Sequence, residues 1–368
     1  MEIGKRLKIA RESIGYTQEK TSQLSGIGVS SISDFENDKR PLKFSHLSKL
    51  AEVYKRTIEF FLMDKLLPEE IMLWCAQPST NDEKKEKEAE FEQLCQQYRR
   101  LEILTGQAKQ VRLPWLDVSA EQFKYRQSNL LAEKVQKEFQ LGDIPSLSLK
   151  QIMEENYYVK IFHLEFSGSA ISTVSPEFGP AVLLNAQNKL WRRNFDLAHE
   201  LFHILTWKIF RDANLHSCCP SEYEERLANV FASKLLLPTD IVKDKIESAK
   251  DEKGQVGFEA LNEIAREFGV SLEALLWRIL YLYNKSPEDI EKLIEQSKSI
   301  EINRPPRRSG EPDKLPERYC SLAIKALKDG KLSLMQFAKY MGMSYKKAQE
   351  YLMEDEDFKD EKISIFVA

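Results

Sequence analysis

Residues 194–207, NFDLAHELFHILTW, decide how this chain is read. The run reads as a helix, and it contains the pattern H-E-x-x-H at His199, Glu200 and His203. Two histidines four residues apart project from one helical face, so both imidazoles can reach one metal ion. Glu200 lies one residue round the helix from His199, where it can take a proton from a metal-bound water. The chain has five histidines in 368 residues, and two of them stand here. The bare pattern also arises by chance, so its weight depends on what surrounds it.

A site of this kind needs a third ligand from a second helix, and residues 222–238 supply one. Leu227, Val230, Phe231 and Leu235 recur at helical spacing, and Pro238 ends the run. Glu225 and Asn229 are four apart on another face. That spacing fits a carboxylate ligand at Glu225, with Asn229 one turn on to steady a ligating histidine. Glu222 and Glu224 compete for the ligand role, because an acidic first turn is what the helix dipole favours in any case. His216 is a further alternative, in a loop-like stretch with the vicinal thiols Cys218 and Cys219. A third histidine six residues after His203 is excluded, since that residue is Ile209.

Three stretches in order, 181–185, 192–203 and 225–238, resemble the ImmA/IrrE family of zinc metallopeptidases. The likeness covers roughly 128–285 and runs strand, active-site helix, glutamate helix, Leu-Leu-Pro stop. It implies Zn²⁺ held by His199, His203 and Glu225, with Glu200 as catalytic base. One departure is Phe202, which stands where the family usually has glycine.

A second block lies at the N-terminus. An amphipathic basic helix, 3–13, is followed by a break at Gly15 and a cap at Thr17. Short helices are expected to Ser25, over Val29 to Asn37 and over Phe44 to Tyr54, with Gly26 at the turn between the first two. Two short helices joined by a glycine-containing turn make a helix-turn-helix. Residues 1–65 resemble the Xre/Cro-type DNA-binding domain through Thr17-Gln18-Glu19, Ser25-Gly26-Ile27, Ile32 to Asn37 and Pro41. In that reading Val29, Ser30 and Asp34 face base edges, while Gln18, Lys39 and Arg40 approach phosphates. Two positions depart from the pattern: Gly28 precedes the recognition helix in place of serine or threonine, and Asp38 replaces the usual glycine after it. The block holds twelve Lys/Arg against nine Asp/Glu, whereas the whole chain is −4. Nucleic acid is the partner this asymmetry favours.

The remainder organises around these blocks. Residues 66–127 are expected to be a charged helical linker, a spacer or dimerisation helix, because 80–100 are rich in Lys and Glu, with Ala89, Phe91, Leu94, Tyr98 and Leu101 interleaved. A peptidase unit spans 128–300, with Tyr157 to Phe166 alternating like a strand and helices at Phe258 to Phe268 and Leu272 to Tyr283. Prolines mark 302–316 as a linker. Residues 317–368 form a small C-terminal helical module, in which two helices joined by Gly342-Met343-Ser344 either pack on the peptidase unit or form a second helix-turn-helix. The fold class expected is mainly α with a small β-sheet (α+β): a five-helix N-terminal domain, a zincin-like (gluzincin) metallopeptidase domain and the helical module.

Five cysteines without a C-x-x-C argue for reduced thiols, and no apolar run or signal peptide is evident, so a cytoplasmic protein without a membrane is expected. The reading is a transcriptional regulator, a homodimer on a double-stranded DNA operator, carrying a zinc endopeptidase that cleaves a repressor, a partner or itself. Two other classes stay open. One is an antitoxin or ligand-sensing repressor whose peptidase fold binds a toxin or effector without hydrolysis. The other is a protease with an N-terminal docking module. Arg193, His216 and Tyr223 are candidates for stabilising the oxyanion.

Overall fold

The computed structural model describes residues 3–62, 71–75, 78–109, 112–211, 220–299 and 312–350. His216, Cys218 and Cys219, most of the proline-rich 302–316 segment and the end of the C-terminal module lie outside them. Five short helices come first: α1 (Ile3–Ser13), α2 (Gln18–Ser25), α3 (Val29–Glu36), α4 (Phe44–Val53) and α5 (Ile58–Leu62). Leu7, Ala10, Ile14, Ile32, Phe35, Leu50, Tyr54 and Phe61 close over one another as a separate small core, to which α2 turns its buried Thr21 and Ser25. Thr17 caps α2, its hydroxyl accepting from the Lys20 amide at 3.1 Å.

Two backbone positions hold α2 and α3 in place. Gly26 ends α2 with φ 69°, a conformation glycine adopts without strain. Asp38 adopts φ 54° just past α3. Its carboxylate accepts a 3.0 Å hydrogen bond from the Gly4 amide, one of the unpaired donors at the start of α1. That bond explains an aspartate where the pattern calls for glycine.

A four-stranded sheet is the centre of the larger unit. Its strands are β1 (Leu73–Trp74), β2 (Lys160–Leu164), β3 (Ala170–Ser175) and β4 (Gly179–Asn185), in the order β1-β3-β4-β2. β2 and β4 run parallel, and the other pairs are antiparallel. Alternate residues face opposite sides. Ile161, Ala170, Val182 and Leu184 enter the main core. That core is built with α7 (Tyr125–Phe139), α8 (Pro145–Glu155), α9 (Leu190–Leu205), α11 (Glu222–Leu236), α12 (Thr239–Ser248), α13 (Phe258–Glu267), α14 (Leu272–Tyr283) and α15 (Pro287–Ser299). A one-turn α10 (Trp207–Phe210) follows α9. Phe162, Ile171, Ala181 and Leu183 face the other way. There they meet α6 (Asn81–Leu104), α16 (Glu317–Lys328) and α17 (Leu334–Tyr340).

The charged stretch therefore does not act as a free spacer. Along α6, Phe91, Leu94, Tyr98 and Leu101 are buried on the second face of the sheet, and Phe91 and Tyr98 meet Phe162 edge-on. Each such side chain contributes about 1.5–3 kcal/mol on burial, more than the solvated face of the same helix can gain from exposed ion pairs. Of the C-terminal module, α16 packs on α6 and α17 packs on α16, with the Tyr319 hydroxyl donating to Gln97 Oε1 at 3.1 Å. Residues 345–350 are helical. At the far edge of the sheet, the His163 amide donates to the Lys314 carbonyl at 3.2 Å, so the end of the proline-rich stretch covers β2. The N-terminal unit rests on α6 through Ala89, the Arg56–Glu92 ion pair and a 2.7 Å pair between Arg100 and Glu59.

Candidate functional site

Both histidines sit on the inner face of α9. Leu197, Ala198, Leu201 and Phe202 anchor that helix in the main core, while His199 and His203 are each 2 % exposed. Phe202 points into the core, edge-on to Phe123 and packed on Phe231, so it does not narrow the cleft. α11 crosses beside α9. Ser221 caps it by accepting from the Glu224 amide at 3.1 Å, which puts Glu224 and Glu225 in the first turn facing the histidines.

The side chains converge at short range. His199 Nε2 and His203 Nε2 are 3.2 Å apart. The Glu225 carboxylate lies 3.2 Å from the first and 3.4 Å from the second. On the far side of each ring, His199 Nδ1 meets Asn229 Oδ1 at 3.0 Å and His203 Nδ1 meets Glu224 Oε1 at 3.0 Å. Carbonyl or carboxylate acceptors at Nδ1 select the tautomer whose Nε2 lone pair faces the cleft. Two lone pairs and a carboxylate aimed at one point repel one another unless a cation or a proton lies between. The donor set of two imidazoles and one carboxylate thus fits a divalent metal such as zinc.

The three competing glutamates separate cleanly. Glu222 is solvent-facing and pairs only with Arg226, at 3.5 Å. Glu224 turns to the rear of His203 and is clamped by Arg211 at 2.7 and 3.0 Å. Glu225 alone reaches both Nε2 atoms. Sequence reasoning missed Arg211, because nothing in its neighbourhood marks a residue that acts through Glu224. Of the oxyanion candidates, Arg193 is committed to the Ala186 and Asn188 carbonyls at 3.0 and 2.8 Å. Tyr223 stacks edge-on with Tyr125 near the cleft mouth.

Glu200 is wholly buried, and neither carboxylate oxygen makes a hydrogen bond. Burial pushes its pKa up. The two histidines and Ser172, close by but outside hydrogen-bond geometry, only partly oppose that. The proton acceptor on the pattern's second residue is thereby made more basic than an ordinary carboxylate. Cys75, next to β1, brings its Sγ within 4.8 Å of His199 and Glu200 ligand atoms. Burial and the negative charge of Glu200 push its thiol pKa up.

Burial works against a charge on His203, but hydrogen bonds to Glu224 and Glu225 and the field of Glu200 prevail and hold it at about 9. Glu225 is desolvated too, yet both histidines draw it down to about 2. In the metal-free protein His203 is therefore protonated at pH 7. Its folded pKa lies above its ordinary 6.5, so its contribution to stability is complete below that value and is lost as pH rises through about 9. Zinc binding at pH 7 should release about one proton, and affinity should climb with pH up to about 9. Calorimetry in buffers of differing ionisation heat measures this, and binding without proton release at pH 7 would contradict it.

At the N-terminus, Val29 and Ser30 are exposed on the first turn of α3, and Gly28 offers it no side-chain cap. Asp34 is half-buried, and Lys39 and Arg40 are exposed. Arg40 reaches Ser31 Oγ at 3.1 Å. Gln18 is held by Glu36 at 2.8 Å, and Glu36 in turn pairs with Arg11 at 2.6 Å, which joins α1, α2 and α3.

These features define a helix-turn-helix unit joined to an H-E-x-x-H unit of zincin-like build. Comparison with known proteins agrees on both halves. Residues 154–280 match the family described as IrrE N-terminal-like domain, and residues 7–61 match the helix-turn-helix family. The chain thus combines an Xre-type helix-turn-helix domain with an ImmA/IrrE-type domain. The HTH-type transcriptional regulator ImmR of Bacillus subtilis (strain 168) is 37% identical over 62 residues, 17% of this chain and 49% of that protein. The radiation response metalloprotease IrrE of Deinococcus deserti is 34% identical over 106 residues, 27% of this chain and 35% of that protein. The chain therefore spans about half the length of the first relative and about a third of the second. Bacillus thuringiensis PlcR, solved in complex with the peptide PapR7 and DNA, aligns over 90% of this chain and 99% of its own at 13% identity. Its TM-score of 0.17 is too low to bear on the fold. Among the described residues no helix is long and apolar enough to cross a membrane.

Proposed function

We propose that this chain is a DNA-binding transcriptional regulator whose second domain is a zinc-dependent endopeptidase. The observation that carries the reading is the convergence of His199, His203 and Glu225 beside a buried, unpaired Glu200. His199, His203 and Glu225 would hold a zinc ion, which would supply Lewis acidity and make a water easier to deprotonate. Glu200 takes that proton and returns it to the leaving amine of a peptide. Asn229 and Glu224 keep the imidazoles oriented, and Arg211 holds the Glu224 carboxylate in place. A cavity of about 460 Å^3 next to Asn229, lined by Trp191, Phe195, Val230 and Trp277, suits a bulky apolar side chain of the substrate. The substrate is a repressor, a partner or the chain itself.

An antitoxin or sensor that binds a toxin or effector without hydrolysis needs the same fold but no base. A buried carboxylate without a partner costs folding free energy, and the peptidase reading gives that cost a use. The decisive experiment is incubation of the zinc-loaded chain with a library of unstructured peptides, read by mass spectrometry for new termini. Absence of cleavage by both the wild-type protein and Cys75→Ala, which removes the thiol beside the site, would return the reading to binding.

The N-terminal unit binds an operator through α3, as a cytoplasmic homodimer on half-sites one helical turn apart. Affinity should fall steeply with salt, since each phosphate contact releases counterions. Replacing Lys39 and Arg40 together by Ala should lower the slope of log K against log salt by about two, at about 0.9 per contact. Fluorescence anisotropy on operator DNA over a salt series reads this, and an unchanged slope would remove both residues from the interface.

A further inference from the structure

β1 lies, in sequence, between the helix-turn-helix unit and α6, and in space it forms the edge of the sheet beside α9. Its pairing with β3 is antiparallel, with Leu73 opposite Ser172 and Trp74 opposite Ile171. The Cys75 amide extends the ladder to the Ala170 carbonyl at 3.1 Å, and Thr173 Oγ1 donates to the Ile71 carbonyl at 2.7 Å. Trp74 pins the strand: it is buried on the second face against Phe166, and its indole N–H donates to Glu88 on α6 at 2.7 Å. With Trp74 fixed on that face, the two-residue period of a strand turns Cys75 to the opposite one, toward α9. The Sγ atom then sits within 4.8 Å of ligand atoms of His199 and Glu200, while His203 and Glu225 join His199 in a second group that does not include it. Both Glu200 oxygens at that spot are buried and unpaired.

We propose that Cys75 is a fourth protein donor to the metal held by His199, His203 and Glu225, so that the 71–75 segment closes the site until it is displaced. The inference rests on the metal site proposed above. Its chemistry is simple ligand exchange. Three protein ligands and an open position characterise a catalytic zinc site, while four protein ligands characterise a closed one. A thiolate in the fourth position leaves no place for the water that Glu200 serves. The same segment occupies the backbone donors and acceptors of the β3 edge, which an extended peptide would use to lie alongside α9. One short stretch thus blocks both the metal and the edge, and it belongs to the connection from the DNA-binding unit.

The test loads the full-length protein with Co²⁺ as a spectroscopic probe. Wild type should show visible d–d bands and an intense near-ultraviolet thiolate-to-cobalt charge-transfer band. Cys75→Ala should keep the visible bands and lose the ultraviolet one. Visible bands without the charge-transfer band in wild type, or a charge-transfer band that persists in Cys75→Ala, would overturn the role of Cys75 while leaving the metal site standing. If neither protein shows visible bands, the metal site falls as well.

Discussion

Glu200→Gln should leave metal binding intact and cut peptide hydrolysis by about 10²–10⁴-fold, the usual contribution of a positioned proton-transfer group. The substitution is nearly isosteric at a wholly buried position, and the Glu200 carboxylate makes no hydrogen bond to the three ligand side chains. The loss corresponds to about 3–5 kcal/mol of barrier at 1.36 kcal/mol per decade. Stability should move the other way. The folded pKa of Glu200 is raised, so its ionisation opposes folding as pH climbs out of the carboxylate range. Glutamine carries no such charge, so the variant should melt higher than wild type at pH 7 and match it at low pH. Calorimetric melting, zinc content and peptide cleavage on the same preparation separate the effects. Equal cleavage by both proteins would remove Glu200 from the chemistry. A lower melting point in the variant would mean that its buried carboxylate supports the fold.

The second large effect concerns the join between α6, β2 and α16. Glu102 on α6 is 2 % exposed and accepts from Lys160 Nζ on β2 at 3.3 Å and from Arg318 on α16 at 2.7 Å. Burial lowers the Lys160 pKa, and Glu102 is what holds the charge there. Glu102→Ala would leave two cations in the interior without a counter-charge, at a cost of about 3–5 kcal/mol. Arg99, a more exposed partner at 3.4 Å, serves as control, and Arg99→Ala should cost no more than about 1 kcal/mol. Urea denaturation compares the midpoints. Equal shifts for the two variants would show that the cluster is solvated and not structural.

The same glutamate shows where sequence reading stops. Residues 80–100 look like a solvated spacer because eight of the twenty-one are Lys or Glu. Phe91, Leu94, Tyr98 and Leu101 were visible as an apolar stripe, but a stripe does not say what covers it. The cover is the second face of the sheet, made of Phe162, Ile171 and Leu183. The charge of Glu102 is tolerated inside because Lys160 and Arg318, 58 and 216 residues away, arrive at the same point.

Within the site the division follows the range of the interaction. Helical periodicity is local, so the placing of His199 and His203 on one face, the capping of α2 by Thr17 and the acidic first turn of α11 can all be read from neighbours in the chain. Which of Glu222, Glu224 and Glu225 meets the histidines is a matter of how α11 crosses α9, and adjacent residues on a helix point about 100° apart. Phe202 is likewise settled by the core that receives it, through Phe123 and Phe231. Cys75 carries no motif at all. Its place beside His199 arises from a two-residue strand that Trp74 anchors on the opposite face, a contact between parts of the chain more than a hundred residues apart. What the amino-acid order determined alone were the elements and the chemistry they carry. Which groups share one buried point was decided only by tertiary packing, because that depends on crossing angles and strand pairing that no local pattern records.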